Sequence, residues 1–333
     1  VAVTVADPSG VGDVRRAATA LARRLGFDDE SCGRVALVVT EAAGNLVKHA
    51  GAGEVLLRAV ERGGVVGLDV LALDRGSGMA DPDRCLGDGF STAGSPGTGL
   101  GAIGRQASLF DLHSAPGAGT ALLARLWARA APPAPGGQLE VGAISLPRPG
   151  EEVCGDGWAV EQRPGRSLIL IADGLGHGPQ AADAARGAVR IVREHSGLDP
   201  VEIVHRIHAA LRSTRGAAVA LAEVRLDAQE LRFVGVGNIS GTVFVGGTSR
   251  SAVSHNGTAG VEARKVQEFV YPFPKGALLV MHSDGLATHW RLEQYAGLAA
   301  RHPGLVAAVL YRDFSRGRDD VTVLAAREEA ADP

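Results

Sequence analysis

The chain has 333 residues, 45% of them hydrophobic and 21% charged, with a net charge of −3. That length favours two domains. No apolar run reaches the roughly 18–20 residues that cross a bilayer, and no block of like charge offers a nucleic-acid footprint.

A basic-then-apolar leader is also absent, so a cytoplasmic protein is expected. Cys32, Cys85 and Cys154 are odd in number and widely spaced, which fits reduced thiols and not a disulfide framework or a CxxC metal pair.

In chain order, Val11, Val14, Ala18, Leu21 and Leu25 recur at helical spacing, and a second helix is expected from about Ser31 to Ala50. Two strands follow, "EVLLRAVE" and "VVGLDVLALD", joined at Arg62-Gly63-Gly64. A glycine-rich loop leads to a short helix from about Gly99, and strands "SLFDLHSA" and "TALLARLW" close this half. One sheet with helices on one face accounts for the order. "RAAPPAPGGQ" cannot continue a helix or a central strand and reads as a linker. The expected division is therefore 1–130, a linker at 131–138, and 139–330.

The second half is richer in strands: "LEVGAISL", "DGWAVEQ", "SLILIAD", "AAVALAEVRL", "ELRFVGVG", "GTVFVGG", "ALLVMHSD" and "DVTVLAAR". Helices are expected near 178–195, 199–213 and 291–312. Two packed antiparallel sheets with helices outside fit this pattern.

Chemistry gathers at two places. In "EAAGNLVKHA", Glu41, Asn45, Lys48 and His49 share one helix face by spacing, apart from the apolar face of Val35, Val39, Ala42 and Leu46. "DRGSGM" places Asp74 at a strand end before Gly76 and Gly78. "GSPGTGLGAIG" places Gly97, Thr98, Gly99, Leu100 and Gly101 where a helix begins, and a helix N-terminus offers free N–H groups to phosphate. Either loop alone is a common turn; the ordered set is specific.

This set resembles the GHKL ATPase superfamily over residues 1–128. The stretch "GTGLGAIGRQASLFDLHS" to "GTALLARLW" is similar to its RsbT and RsbW branch, bacterial serine kinases and anti-sigma factors that act on STAS-domain proteins. The resemblance implies that Asn45 ligates the Mg²⁺ of ATP, Asp74 accepts from the adenine amino group, and Glu41 is the base for the attacking hydroxyl. It also implies that Gly76, Gly78, Gly97, Thr98, Gly99, Leu100 and Gly101 shape the nucleotide loops, with Lys48 within reach of phosphate. His49 reads as a packed structural residue.

In the second half, Asp156, Asp173, Asp284 and Asp319 each stand at a strand edge beside a glycine or another aspartate, with Asp320 the alternative to Asp319. Each alone would be a turn former or cap. Gathered, they repel one another unless a proton or cation intervenes, and an all-oxygen cluster selects Mg²⁺ or Mn²⁺.

The order "GD…ADGLGHG…GVGN…SDG…DDVTV" resembles the SpoIIE and RsbX branch of the metal-dependent PPM serine/threonine phosphatases over residues 139–327. The resemblance implies two Mn²⁺ or Mg²⁺ ions that acidify a water for attack on phosphorus. Asp173 would bridge them, the Gly174 carbonyl would assist, Asp156 would sit near the first, and Asp284 and Asp319 would hold the second. His177 is a candidate acid for the leaving oxygen. Arg148 reads as surface and Asn238 as closing a turn.

The expected fold is thus α/β (α+β): an N-terminal GHKL (Bergerat) α/β sandwich, then a PPM-type β-sandwich flanked by helices. The expected activity is kinase and phosphatase on one chain, with STAS-domain anti-anti-sigma or stressosome-type partners, a sigma factor as a further partner, and a dimer allowed. No nucleic acid or membrane is expected to bind. The rival expectation makes the first half a nucleotide-gated adaptor without phosphotransfer.

Overall fold

The computed structural model describes residues 1–82, 99–132 and 136–329. The chain divides into two compact units, Val1–Pro133 and Ala134–Pro333. Gly97, Thr98 and Cys85 lie outside the described residues.

The first unit has an antiparallel sheet in the order β1 (Ala2–Val5), β2 (Gly53–Arg62), β3 (Val65–Asp74), β5 (Thr120–Trp127), β4 (Leu109–Ser114). β1 is absent from the sequence expectation; four residues give no readable period. The β2–β3 hairpin turns on Gly63 and Gly64 at φ of 55° and 73°, the two positive φ values that a twisted two-residue hairpin requires.

Helices α1 (Pro8–Arg24), α2 (Asp29–Asn45) and α3 (Gly99–Gln106) pack on one face of this sheet. There Val14, Ala18, Val35, Val39, Ala42 and Ile103 meet Val55, Leu68, Val70 and Leu122. Asp7 and Asp28 cap α1 and α2 by accepting backbone N–H groups of their first turns. The expected long second helix changes at Leu46, where residues Leu46–Ala50 form a π-helical turn. That wider turn rotates Lys48 and His49 away from the straight-helix register with Glu41 and Asn45, and both are exposed.

On the opposite face of the sheet, fully buried Asp69 accepts from Arg125 Nε at 2.6 Å and Nη2 at 3.0 Å, and from Arg58 Nη2 at 2.5 Å. Although burial opposes it, the paired guanidinium groups hold the Asp69 carboxyl down to about 2. Asp69→Ala removes the shared anion from two cations, and the first unit loses about 3 kcal/mol or more in chemical denaturation.

The second unit stacks two antiparallel sheets. One runs β13 (Glu268–Pro272), β10 (Glu230–Val236), β9 (Ala217–Arg225), β8 (Arg166–Gly174), β7 (Asp156–Arg163). The other runs β12 (Thr248–Ser251), β11 (Ser240–Val245), β14 (Leu278–His282), β15 (Val321–Glu328), β6 (Leu139–Leu146). Ile169, Ile171, Ala220, Phe233, Leu279, Met281, Leu324 and Ala326 fill the space between them. Helices α4 (Pro179–Glu194) and α5 (Pro200–Ala210) cover the outer face of the first sheet. Helix α6 (Pro303–Phe314) packs on β6 and β15 of the second.

Three details differ from the sequence expectation. β12 is short and wholly polar, and β13 is an edge strand partnered only by β10, so neither shows an apolar period. The helix expected over 291–312 is two 3₁₀ turns, Leu292–Gln294 and Leu298–Ala300, followed by α6. Gly297 at φ 74° breaks the first stretch, and Pro303 starts a new helix at its first position. No helix among the described residues is long and apolar enough to cross a membrane.

Candidate functional sites

In the first unit, the antiparallel pairing of β2 and β3 puts Asp74 opposite Gly53 at the end of the sheet where α2 also ends. Asp74 Oδ1 accepts the N–H groups of Gly76 at 2.8 Å and Thr120 at 3.1 Å, which fixes the half-buried carboxylate between the β3 turn and the start of β5. Gly78 has φ of 66°, and a Cβ there would lie 2.0 Å from the Ala115 carbonyl oxygen, so only glycine fits this turn.

Glu41 and Asn45, one helical turn apart, converge on the first residue of α3. A Cβ on Gly99 would lie 3.1 Å from Glu41 Oε2 and 3.6 Å from Asn45 Oδ1. A carboxylate, an amide oxygen and a helix N-terminus thus meet at Gly99, which has no side chain of its own. Hard oxygen donors beside a helix N-terminus suit a magnesium-bound phosphate chain. Leu100 packs partly into the core, and Gly101 is half-buried on the same turn.

The second site follows from strand topology. In antiparallel neighbours the start of one strand lies beside the end of the next, so β7 and β8 bring Asp156 and Asp173 directly opposite each other. β14 and β15 do the same in the facing sheet, with Asp284 just past the end of one and Asp319 and Asp320 just before the other. Five carboxylates therefore collect at one end of the sandwich.

Burial raises the Asp173 carboxyl well above its ordinary range, and the charges of Asp156, Asp284, Asp319 and Asp320 raise it further. Burial also raises Asp156, with Asp320 and Asp284 adding to the shift against the hydroxyls of Ser283 and Thr322. Asp284 is raised by burial and by Asp319. Asp173 is thus the group that feels all four others.

The polar groups around these carboxylates leave them incompletely satisfied. Ser283 Oγ donates to Asp156 Oδ2 at 2.7 Å, while Asp156 Oδ1 is buried with no partner among the described residues. Asp320 Oδ1 accepts from the Arg148 backbone N–H at 2.9 Å, and its Oδ2 is likewise buried and unpartnered. A Cβ on Gly155 would lie 2.6 Å from that Oδ2, so the glycine leaves the oxygen its space. Asp319 is exposed, whereas Asp320 is 3% exposed. Asn238 Nδ2 donates to Asp284 Oδ2 at 2.8 Å, so it orients this carboxylate in addition to sitting in a turn. His177 stands on the exposed rim with Nδ1 2.7 Å from Glu151 Oε1.

The donor set fits hard divalent cations: all oxygen, excess negative charge, two buried lone oxygens, and no ion pair to any of the five among the described residues. No three acidic, imidazole or thiol groups among the described residues close around one point. Ions here would complete their shells with water, the Gly174 carbonyl and substrate oxygens, as Mg²⁺ readily does.

The serine and threonine hydroxyls beneath Asp156, the Asn238 contact and the Glu151 contact are absent from the sequence expectation. Thr322 alone left a signal, as a polar residue on the inward side of β15.

In chelator, the second unit has a defined pH dependence. Asp173 is pushed up to about 9 and Asp156 to about 7, so both bind protons more tightly folded than unfolded. Their favourable contribution is full below about pH 4 and is lost as pH rises through the folded values. Thermal melts in chelator should therefore show the second unit losing stability from pH 5 to pH 9. Added Mn²⁺ should flatten that slope. A melt that rises with pH in chelator contradicts the carboxylate cluster.

Residues 4–126 match the histidine kinase-like ATPase domain family, and residues 163–329 match stage II sporulation protein E (SpoIIE), which is half of the chain. The serine/threonine-protein kinase RsbT of Bacillus subtilis is 36% identical over 109 residues, 33% of this chain and 82% of RsbT. A solved chain described under "The bacterial stressosome: a modular system that has been adapted to control secondary messenger signaling" is 30% identical. It superposes with a TM-score of 0.54 over 57% of this chain and 100% of its own. RsbX in complex with magnesium shares the fold at 19% identity, with a TM-score of 0.51 over 59% of this chain and 98% of RsbX. The chain is therefore a member of the SpoIIE phosphatase family through its second half, with an RsbT-like histidine kinase-like ATPase domain fused ahead of it.

Proposed function

We propose that this chain is a bifunctional partner-switching regulator, whose first unit phosphorylates a serine or threonine on a STAS-domain protein and whose second unit hydrolyses phosphoserine or phosphothreonine on a protein of the same circuit. The observation that carries the phosphatase half is the pair of buried, unpartnered carboxylate oxygens of Asp156 and Asp320 beside Asp173. Similarity to RsbT and to a stressosome-associated chain supports the partner class, and an alternative sigma factor is the expected output of such a circuit.

In the first unit, Asn45 would hold the Mg²⁺ of ATP, Asp74 would accept from the adenine amino group, and the α3 N-terminus would receive the phosphates. Glu41 would take the proton of the attacking hydroxyl, which must lie within hydrogen-bond reach. In the second unit, Asp156, Asp173, the Gly174 carbonyl, Asp284 and Asp319 or Asp320 would hold two Mn²⁺ or Mg²⁺ ions. Bound there, such ions supply an acidified water and charge stabilisation for phosphoester hydrolysis. Ser283 and Thr322 would fix Asp156, Asn238 would fix Asp284, and His177, steadied by Glu151, would return a proton to the departing serine oxygen.

Calorimetry with ATP tests the first assignment. Asn45→Ala should lose the Mg²⁺-dependent part of nucleotide affinity, because the ion loses its one proposed protein ligand. Unchanged affinity removes Asn45 from the site.

A further inference from the structure

A second feature of the phosphatase unit is not used by the chemistry above. A cavity of about 600 Å³ is lined by Ser145, Asp156, Gly157, Trp158, Arg186, Val189, Arg190, Arg193 and Glu194. Helix α4 buries its alanine-rich face, including Ala181, Ala184, Ala185 and Ala188, against the sheet. At spacings of four and three residues, Arg186, Arg190 and Arg193 come round to one side of that helix and line the cavity. Its other wall is β7, which pairs with β8 on one side and forms the edge of its sheet. Asp156 belongs to both the cavity and the carboxylate cluster, so the groove abuts the site.

These arginines are available. Arg190 has no ion pair or hydrogen bond among the described residues. Arg186 pairs only with exposed Asp183 on its own helix, and Arg193 only with Glu161 at 3.7 Å. Exposed pairs of this kind are worth little and exchange readily for a better anion. Glu194 and Asp156 also line the groove, and cations bound at the cluster would offset the charge of Asp156.

We propose that this groove docks an acidic segment of the phosphoprotein substrate, its aspartate and glutamate side chains on Arg186, Arg190 and Arg193 and its backbone alongside β7. The proposal rests on the phosphatase reading and names what selects its substrate. An extended chain beside an edge strand gains main-chain hydrogen bonds, while charge sets which chains are accepted. Trp158 offers a face for an apolar residue of the same segment.

The test uses fluorescein-labelled phosphoserine peptides flanked on both sides by aspartates, against the same peptide with asparagines, in Mn²⁺ buffer. Binding is read by anisotropy and hydrolysis by phosphate release, on full-length wild type and on Arg190→Glu/Arg193→Glu protein. Wild type should prefer the aspartate peptide about tenfold, a preference erased or reversed in the variant and weakened by salt. The ratio between peptides is independent of how much protein is folded. Equal binding by wild type, or a preference that survives in the variant, overturns the groove. Hydrolysis without acidic preference leaves the phosphatase reading standing without the groove. Acidic preference without hydrolysis keeps the groove and removes the phosphatase reading.

Discussion

Replacing Asp173 with Asn should lower phosphoserine hydrolysis by on the order of a thousandfold or more, since on the proposed reading several kcal/mol of charge stabilisation would depend on ions that Asp173 would hold. The reason lies in its position. Asp173 faces Asp156 across the β7–β8 pair and feels Asp284, Asp319 and Asp320 from the other sheet. An amide of the same shape removes the charge shared by both ion positions, so both ions should weaken together in Mn²⁺ titrations. In chelator the variant should be at least as stable as wild type, because one buried repulsive carboxylate has gone. A residue that merely capped the following helix predicts the reverse: stability lower by roughly 0.5–2 kcal/mol and metal affinity unchanged.

The second large effect belongs to Glu41. Glu41→Ala should keep ATP binding and lose phosphotransfer by about 10²–10⁴-fold, the usual contribution of a positioned general base. Its carboxylate lies against the first residue of α3, where a Cβ on Gly99 would stand 3.1 Å from Glu41 Oε2. Wild-type transfer by the variant would remove Glu41 as the base. Loss of nucleotide binding would make it a structural support of the pocket.

Much of this was legible in the sequence, for identifiable reasons. β8 shows an unbroken apolar run from Leu168 to Ala172 ending at Asp173, and β3 one from Val70 to Leu73 ending at Asp74, because strands buried on both faces carry few polar residues, the paired Asp69 of β3 being the exception. The division between the two compact units, Val1–Pro133 and Ala134–Pro333, falls within the proline-rich stretch, whose geometry excludes both helix and central strand.

What was not legible depends on partners distant in the chain. Ser283 lies 127 residues from the Asp156 it supports, and Asn238 lies 46 from Asp284; only the sheet order brings them together. The π-helical turn at Leu46 is invisible to a 3.6-residue period, so the straight-helix register read for Lys48 and His49 does not continue past Asn45. Asp320 did leave a trace, since Asp320, Thr322, Leu324 and Ala326 alternate on one side of β15 and the last two lie between the sheets. By that alternation Asp320 continues the inward face and Asp319 does not.

On the proposed reading, the two halves of this chain run opposite reactions on proteins of one circuit. The most direct measurement is intact-protein mass spectrometry of STAS-domain proteins from the same genome, incubated with ATP, Mg²⁺ and Mn²⁺ and with wild type, Glu41→Ala or Asp173→Asn protein. A STAS protein should gain phosphate and keep it with Asp173→Asn protein. Pre-phosphorylated partner proteins should lose phosphate with Glu41→Ala protein. No gain of phosphate with Asp173→Asn protein on any STAS partner, although ATP is bound, would contradict the kinase half and leave the first unit as an adaptor.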